Sequence, residues 1–144
     1  MRIVIIDIMR YIGIDYGSKR IGVAISDDQG RIAFPDGVIM NRADRVVKEI
    51  TNRIKKKNVD VIVVGLPIGL DGKESNQTQK TWLFIETLKK SVNAQIVTEN
   101  EMLSSRMAAS AGMKGKDIDA SSAAIILQSY LDKVNTNVYM LNNE

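Results

Sequence analysis

Short apolar runs separated by glycine-containing turns open the chain and predict three antiparallel strands. The runs cover residues 11–15, 20–26 and 32–40, and Asp28-Gln29-Gly30 supplies the second turn. Pro35-Asp36-Gly37 interrupts the third run, so we expect a bulge or a bend there.

Longer segments follow in which apolar residues recur every three or four positions, as in helices. The first helix is predicted over 44–57, with Asn41 or Asp44 as its cap, and the second over 75–90. Four side chains of the second helix are predicted to face inward: Trp82, Leu83, Ile85 and Leu88. Two more helices are predicted over 104–111 and 119–133.

Two further strands alternate with these helices. Residues 59–66 are continuously apolar except for Asp60, which is typical of a parallel strand buried on both faces, and 95–98 form a short strand. Three antiparallel strands followed by strand–helix crossovers predict an α/β fold of ribonuclease H type, a mixed sheet flanked by helices. No linker, repeat or low-complexity stretch divides the chain, so we expect a single domain over 1–144.

The two ends of the chain lie outside the predicted core at about 10–133. Residues 1–9 contain an apolar run that is too short to span a membrane and includes Asp7, and no small-residue cleavage site follows. We interpret 1–9 as an extension rather than a targeting signal, and 135–144 as a polar tail.

Composition excludes several kinds of active site. The chain has no histidine and no cysteine, which excludes a Ser-His-Asp triad, a thiolate nucleophile, zinc held by imidazole or thiolate, and any disulfide. Ligation by oxygen alone favours Mg²⁺ or Mn²⁺. A net charge of +3, from 20 basic and 17 acidic residues, is compatible with a nucleic-acid partner without requiring one.

The turn after the first strand carries the strongest candidate chemistry. Asp15 ends an apolar run, and Gly17, Lys19 and Arg20 follow before the next run begins. A carboxylate beside a basic turn that lacks bulk suits a hard metal ion held against a phosphate. The alternative is an aspartate that only caps the hairpin.

Two later loops hold further candidates. The glycine-rich loop at 65–72 suits a phosphate, together with Lys73, or is a plain connection. It lacks the Lys-Ser/Thr ending of a P-loop, which excludes an ordinary nucleotide triphosphatase. Glu99 and Glu101 share one face of an extended chain, and the alternative for either is a solvated loop residue.

Asp119 opens the last predicted helix. Ala120, Ala123 and Ala124 let this helix lie close against the sheet, so that an acid in its first turn can reach the carboxylates of the sheet. Asp117 is predicted as the N-cap. The alternative is that both acids only complement the helix dipole.

Together these segments resemble the YqgF/RuvX family, whose members are described as pre-16S rRNA nucleases and as Holliday junction resolvase-like proteins. The matching motifs are Gly13-Ile14-Asp15-Tyr16-Gly17 with Lys19-Arg20-Ile21-Gly22-Val23-Ala24, Val64-Gly65-Leu66-Pro67 through Asp71-Gly72, Glu101 with Leu103-Ser104-Ser105, and Asp119 with residues 123–132. The resemblance spans about 10–133.

The resemblance implies a ribonuclease H-like nuclease that matures the 5′ end of small-subunit ribosomal RNA in the cytoplasm. It implies that Asp15, Glu101 and Asp119 form an acidic cluster, which we expect to hold one or two Mg²⁺ or Mn²⁺ ions. Four cations are expected to contact substrate phosphates: Lys19, Arg20, Arg106 and Lys116. The expected partner is structured RNA such as pre-16S rRNA, or branched DNA, bound by a monomer or homodimer and away from any membrane.

Two departures from the family pattern keep alternatives open. The family usually has Asp-Glu-Arg where this chain reads Asn100-Glu101-Met102, and Arg106 could replace the missing arginine. An extra residue before Asp119 keeps Asp117 as a reserve candidate. The alternatives are a Holliday junction resolvase-like DNA endonuclease, a nucleic-acid-binding module with a decayed site, and an ATPase of the sugar-kinase and actin type, which needs two such domains.

A run of cations near the end of the first predicted helix has two interpretations. Lys48, Arg53 and residues 55–57 contact phosphates, or they form a solvated helix end that favours the C-terminal dipole. Glu49 is the only acid nearby.

Overall fold

Five strands and three helices make up the part of the chain that the structure describes. The computed structural model describes residues 8–69, 71–101 and 116–142, and the side chains of these except for 116, 117 and 137–142. The elements are β1 (Tyr11–Tyr16), β2 (Arg20–Ser26), β3 (Ala33–Met40), α1 (Val46–Lys56), β4 (Val61–Leu66), α2 (Asn76–Lys89), β5 (Gln95–Asn100) and α3 (Lys116–Asn142). The predicted helix at 104–111 lies outside the described residues.

The strands form one mixed sheet in the order β3-β2-β1-β4-β5. β2 pairs antiparallel with β1 and β3, and β4 pairs parallel with β1 and β5. The predicted α/β class, with three antiparallel strands followed by parallel ones, is therefore confirmed. The carboxyl ends of β1, β4 and β5 meet at one edge, and this is where open α/β sheets present their ligand sites.

Two hydrophobic cores lie on the two faces of the sheet, because alternate residues of a strand point to opposite sides. One core joins the sheet to α1 and α2 and includes Ile12, Ile14, Ile62, Ile50 and Leu88. The other joins it to α3 and includes Ala24, Val63, Ala123, Leu127 and Leu131. Every residue of β4 is buried, as its continuous apolar run predicts.

The bulge expected in the third strand is present in β3. Val23 opposes Gly37 and Ala24 opposes Pro35, so Asp36 is an extra residue in the ladder. Gly37 has a φ of 102°, a backbone conformation that favours glycine. The Pro-Asp-Gly triplet therefore bends an edge strand instead of ending it.

The predicted cap of α1 is wrong. Arg45 occupies the N-cap position and no side chain accepts a hydrogen bond there. The Asn41 amide instead donates to the Gly17 carbonyl at 2.8 Å, and the Asn41 backbone N–H donates to the Lys19 carbonyl at 2.9 Å. Asn41 thus fastens the end of β3 to the β1–β2 turn and is not available to the helix.

The predicted bounds of α2 agree with the structure, but half of its predicted inward face does not. Ser75 is the N-cap and forms a capping box with Thr78. Ile85 and Leu88 are buried, whereas Trp82 is 36% and Leu83 is 69% exposed. A period of 3.6 residues places Leu83 off the buried stripe, which is completed by Thr78, Thr81 and Phe84.

Helix α3 is longer than predicted at both ends, because it runs over Lys116–Asn142. Asp117 lies inside the helix, so its prediction as the N-cap is wrong. Most of the polar segment after 134 is helical, and the Asn135 side chain donates to the Gly30 carbonyl at 3.1 Å. This contact ties the later turns of α3 to the β2–β3 turn.

Three glycines let α3 approach the sheet closely. A Cβ atom on Gly22 would lie 1.9 Å from the Asp119 carbonyl oxygen, and one on Gly13 would lie 2.7 Å from the Leu127 Cβ. A Cβ on Gly65 would lie 2.6 Å from the Ile126 Cδ1. These separations are too short for real contacts, so the sheet must present bare backbone under the helix.

Gly22→Ala should therefore destabilise the protein. The new methyl group meets helix backbone, which cannot rotate away, so we expect a loss of about 3 kcal/mol in the free energy of unfolding by urea titration. Gly37→Ala is the control: its Cβ meets nothing within 4 Å, and its positive φ alone costs about 1 kcal/mol. Equal losses in the two variants would show that close approach of α3 is not constrained at Gly22.

Candidate active site

Asp15 lies where β1 ends, on the face of the sheet that α3 covers. It follows Gly13 by two residues and therefore shares its face, and it sits directly opposite Gly22 in the antiparallel pair. The Asp119 backbone packs against Gly22, which is the residue paired with Asp15. The start of α3 therefore lies directly over the Asp15–Gly22 pair. The side chain of Asp15 thus faces the beginning of the helix.

Glu101 reaches the same place from the other side. Its backbone N–H donates to the Leu66 carbonyl at 3.1 Å, which holds the residue beside the end of β4. Its Oε2 atom lies 2.7 Å from where a Cβ of Gly65 would be, so the absence of a side chain at Gly65 gives the carboxyl group its space. The side chains of Asp15 and Glu101 are hydrogen-bonded to each other.

This hydrogen bond requires a proton, because two ionised carboxylates have no donor between them. Burial raises the pKa of Glu101 to about 10, aided by the hydrogen bond to Asp15 and by the negative charge of Asp15. Burial also raises the pKa of Asp15; the charge of Asp119 acts in the same direction, and the bond from Glu101 acts against it. At neutral pH Glu101 therefore keeps the proton of this hydrogen bond.

Asp119 pairs with a cation and is not part of the hydrogen bond between Asp15 and Glu101. Its Oδ2 lies 2.8 Å from the Arg20 Nε, an ion pair that lacks the alignment of a hydrogen bond. Arg20 begins β2 and lies two residues before Gly22, so it shares the face on which α3 packs. Arg20, predicted only as a phosphate contact, is thus also the counter-ion of an acid in the cluster.

The three predicted acids are brought to one edge of the sheet but do not surround one point. Asp15 bonds Glu101 and is close enough to Asp119 for their charges to interact. Within residues 8–69, 71–101 and 116–142, however, no group of three acidic side chains is placed so that it could hold a metal ion together. Their assignment as metal ligands stays a prediction.

Glu99 forms an interaction that sequence reasoning missed. It is 6% exposed and forms an ion pair with Lys133 of α3. The shared face of Glu99 and Glu101 was predicted, and the buried partner was not, because 34 residues separate Glu99 from Lys133. The pair fixes α3 to β5 just before the chain reaches Glu101.

Several other candidates remain predictions. Lys19 and Lys73 are exposed near this edge of the sheet and are accessible to a phosphate. Arg106 and Met102 lie outside the described residues, and the side chains of Lys116 and Asp117 are not described.

The cation run on α1 is smaller than the sequence suggests. The Arg53 Nη1 lies 2.9 Å and the Lys57 Nζ 2.8 Å from the Asp36 carboxylate, so both cations pair with the single negative charge of the bulge residue of β3. Lys48, Lys55 and Lys56 are exposed. These three lysines are therefore the most accessible phosphate contacts of the run.

Comparisons with known proteins cover the segment of the chain that contains these residues. A family model described as "RuvX: Holliday junction resolvase" matches residues 9–133. The chain belongs to the RuvX family. Among curated RuvX relatives, a protein of Fusobacterium nucleatum named "Putative pre-16S rRNA nuclease" is 40% identical over 133 residues, covering 85% of this chain and 96% of the relative. One of Synechococcus sp. with the same name is 38% identical and covers 88% and 80%.

Solved structures agree on the fold of this RuvX-family chain. RuvC of T. thermophilus in complex with a Holliday junction substrate superposes with a TM-score of 0.59 at 9% identity, covering 89% of this chain and 97% of RuvC. The expected family, ribonuclease H-like fold and enzyme class, a nuclease that hydrolyses phosphodiester bonds, are confirmed. None of the helices in the described segments has the length and apolar character needed to cross a bilayer.

The shared proton makes stability depend on pH. The folded state keeps a proton on Glu101 that the unfolded chain releases above its ordinary pKa of 4.5, so stability should fall as pH rises from about 5 towards 10. One proton limits the slope to about 1.4 kcal/mol per pH unit. We expect the melting temperature of the metal-free protein to decline over this range and Glu101→Gln to flatten the decline.

Glu86→Gln is the matched control for this measurement, because the Glu86 side chain is 64% exposed on α2. Its pH profile should follow that of the wild type. A Glu101→Gln profile that also follows the wild type would contradict a proton held by Glu101.

Proposed function

We propose that this chain is a metal-dependent nuclease that hydrolyses phosphodiester bonds during 5′-end processing of pre-16S rRNA, acting in the cytoplasm. The observation that carries the proposal is the meeting of Asp15 and Glu101, with Asp119 beside them, at the carboxyl edge of the parallel strands. The names of its curated relatives favour ribosomal RNA as the substrate.

The chemistry of these residues fits Mg²⁺ or Mn²⁺. The cluster offers only oxygen donors, which hard divalent ions prefer, and crowded acids favour a cation among them. Asp15, Glu101 and Asp119 would hold the ion. When bound, such an ion lowers the pKa of the attacking water and stabilises charge on the leaving oxygen.

A bound cation would change two interactions among the chain's own residues. Asp15 and Glu101 would have to lose the proton between them, because a protonated carboxyl group is a poor ligand. A cation held by Asp119 would also compete with Arg20 for the same carboxylate. A free guanidinium binds a phosphate through two parallel hydrogen bonds, so we assign Arg20 and the exposed Lys19 to the substrate backbone.

A second candidate function is cleavage of branched DNA, which the description of the family favours. Both substrates offer the same phosphodiester, and the acidic cluster acts on it identically. Paired cuts across a junction need two sites related by symmetry, so this activity requires a dimer. A nucleic-acid-binding module with a decayed site is the third candidate and would bind divalent ions only feebly.

Substrate and catalytic residues are tested together. Wild-type protein should cleave pre-16S rRNA faster than a four-way DNA junction in Mg²⁺ or Mn²⁺. Asp15→Asn and Glu101→Gln should each lower the cleavage rate at least about 100-fold, because each removes a negatively charged ligand. Asp28→Asn, in the exposed β2–β3 turn, should leave the rate unchanged. Full activity of Asp15→Asn would disprove the assignment, and a preference for the junction would favour the second function.

The salt dependence of RNA binding separates the two groups of cations. Lys19→Gln should lower the slope of log K against log salt by about 1, since one phosphate contact is lost. The double variant Lys55→Gln with Lys56→Gln is the comparison, because those lysines lie on α1, on the other face of the sheet. A larger change of this slope in the double variant than in Lys19→Gln would indicate that α1 forms the RNA-binding surface.

A further inference from the structure

Ser122 carries a buried hydroxyl group that the proposed function does not yet use. The residue is 0% exposed, and its Oγ atom has no hydrogen-bond partner among the described residues. A serine inside a helix commonly bonds the carbonyl four residues back, and here that bond is not made either. The hydroxyl is therefore buried at a cost in free energy that no contact with the described residues offsets.

The position of Ser122 on α3 places it beside the acidic cluster. It lies one turn after Asp119 and one turn before Ile126, so it is the neighbour of both on the helix surface. The Ile126 Cδ1 and the Glu101 Oε2 both lie against the same spot on Gly65. Ser122 therefore lies on α3 between Asp119 and Ile126, and Ile126 packs at Gly65, where the Glu101 carboxyl group also lies.

An unsatisfied buried group in a native fold calls for an explanation such as a catalytic role or a missing water or ion. A hydroxyl can both donate and accept, and it adds no charge to a site that already holds three acids. Mg²⁺ gives up its hydration shell reluctantly and keeps several waters when carboxylates bind it. Such waters need hydrogen-bond partners within the protein. The Ser122 hydroxyl is a buried hydrogen-bonding group that makes no other hydrogen bond with the described residues.

We propose that Ser122 is a positioning residue for the metal-loaded site, whose hydroxyl hydrogen-bonds a water carried into the acidic cluster by a divalent cation. The inference rests on the proposed function. It assigns Ser122 a role only in the loaded state, so the same hydroxyl weakens the metal-free fold and strengthens cation binding. A serine that serves only the fold would do neither.

The test compares Ser122→Ala with Ser121→Ala. Both substitutions raise helix propensity equally on the same helix, and Ser121 is only half-buried. In EDTA, the melting temperature of Ser122→Ala should exceed that of Ser121→Ala by about 3 °C, because an unsatisfied hydroxyl is removed. By calorimetric titration with Mn²⁺ alone, the dissociation constant of Ser122→Ala should be about fivefold higher than that of Ser121→Ala.

The outcomes distinguish this inference from the function on which it rests. A Ser122→Ala melting temperature at or below that of Ser121→Ala, or a Mn²⁺ dissociation constant within twofold of it, overturns the role of Ser122 alone, provided that wild-type protein binds Mn²⁺ and Asp15→Asn does not. Wild-type protein that fails to bind Mn²⁺ overturns both proposals.

Discussion

Everything at the candidate site depends on how closely α3 can approach the sheet. The helix rests on bare backbone at Gly22, Gly13 and Gly65, and the first of these lies on the same rung as Asp15. A side chain at Gly22 would lift the start of the helix and carry Asp119 away from the strand that holds Asp15. The distance between helix and sheet therefore determines whether acids that are about a hundred residues apart in sequence can act as one group.

The close approach crowds three acids together, and the chain compensates their charge with its own groups. Asp15 and Glu101 share a proton, and Asp119 is neutralised by Arg20. Both solutions are reversible, since a proton can leave and a long side chain can turn away. Such a site tolerates three acids in close proximity and can exchange either compensating group for a cation.

Sequence reasoning succeeded where the signal is local and failed where a partner is remote. The apolar runs predicted the strands, the burial of β4 on both faces and the bulge at Asp36, because each follows from a short pattern. Asp15 and Glu101 were recognisable as acids at strand ends. The ion pair of Glu99 with Lys133, the use of Asn41 by the β1–β2 turn and the capture of Arg53 by Asp36 depend on long-range contacts, which no spacing along the chain encodes. Leu83 is apolar but lies off the buried stripe of α2, so its apolar character alone did not predict its exposure.

The bulge in β3 has a consequence for the edge of the sheet that this strand forms. Pro35 offers no N–H group, and the extra residue Asp36 breaks the regular row of donors and acceptors. The charge of Asp36 is paired with Arg53 of α1 and with Lys57 just after it. An incoming strand from another chain finds no continuous ladder to extend. This border is thereby protected against the strand-by-strand growth that turns exposed sheets into aggregates.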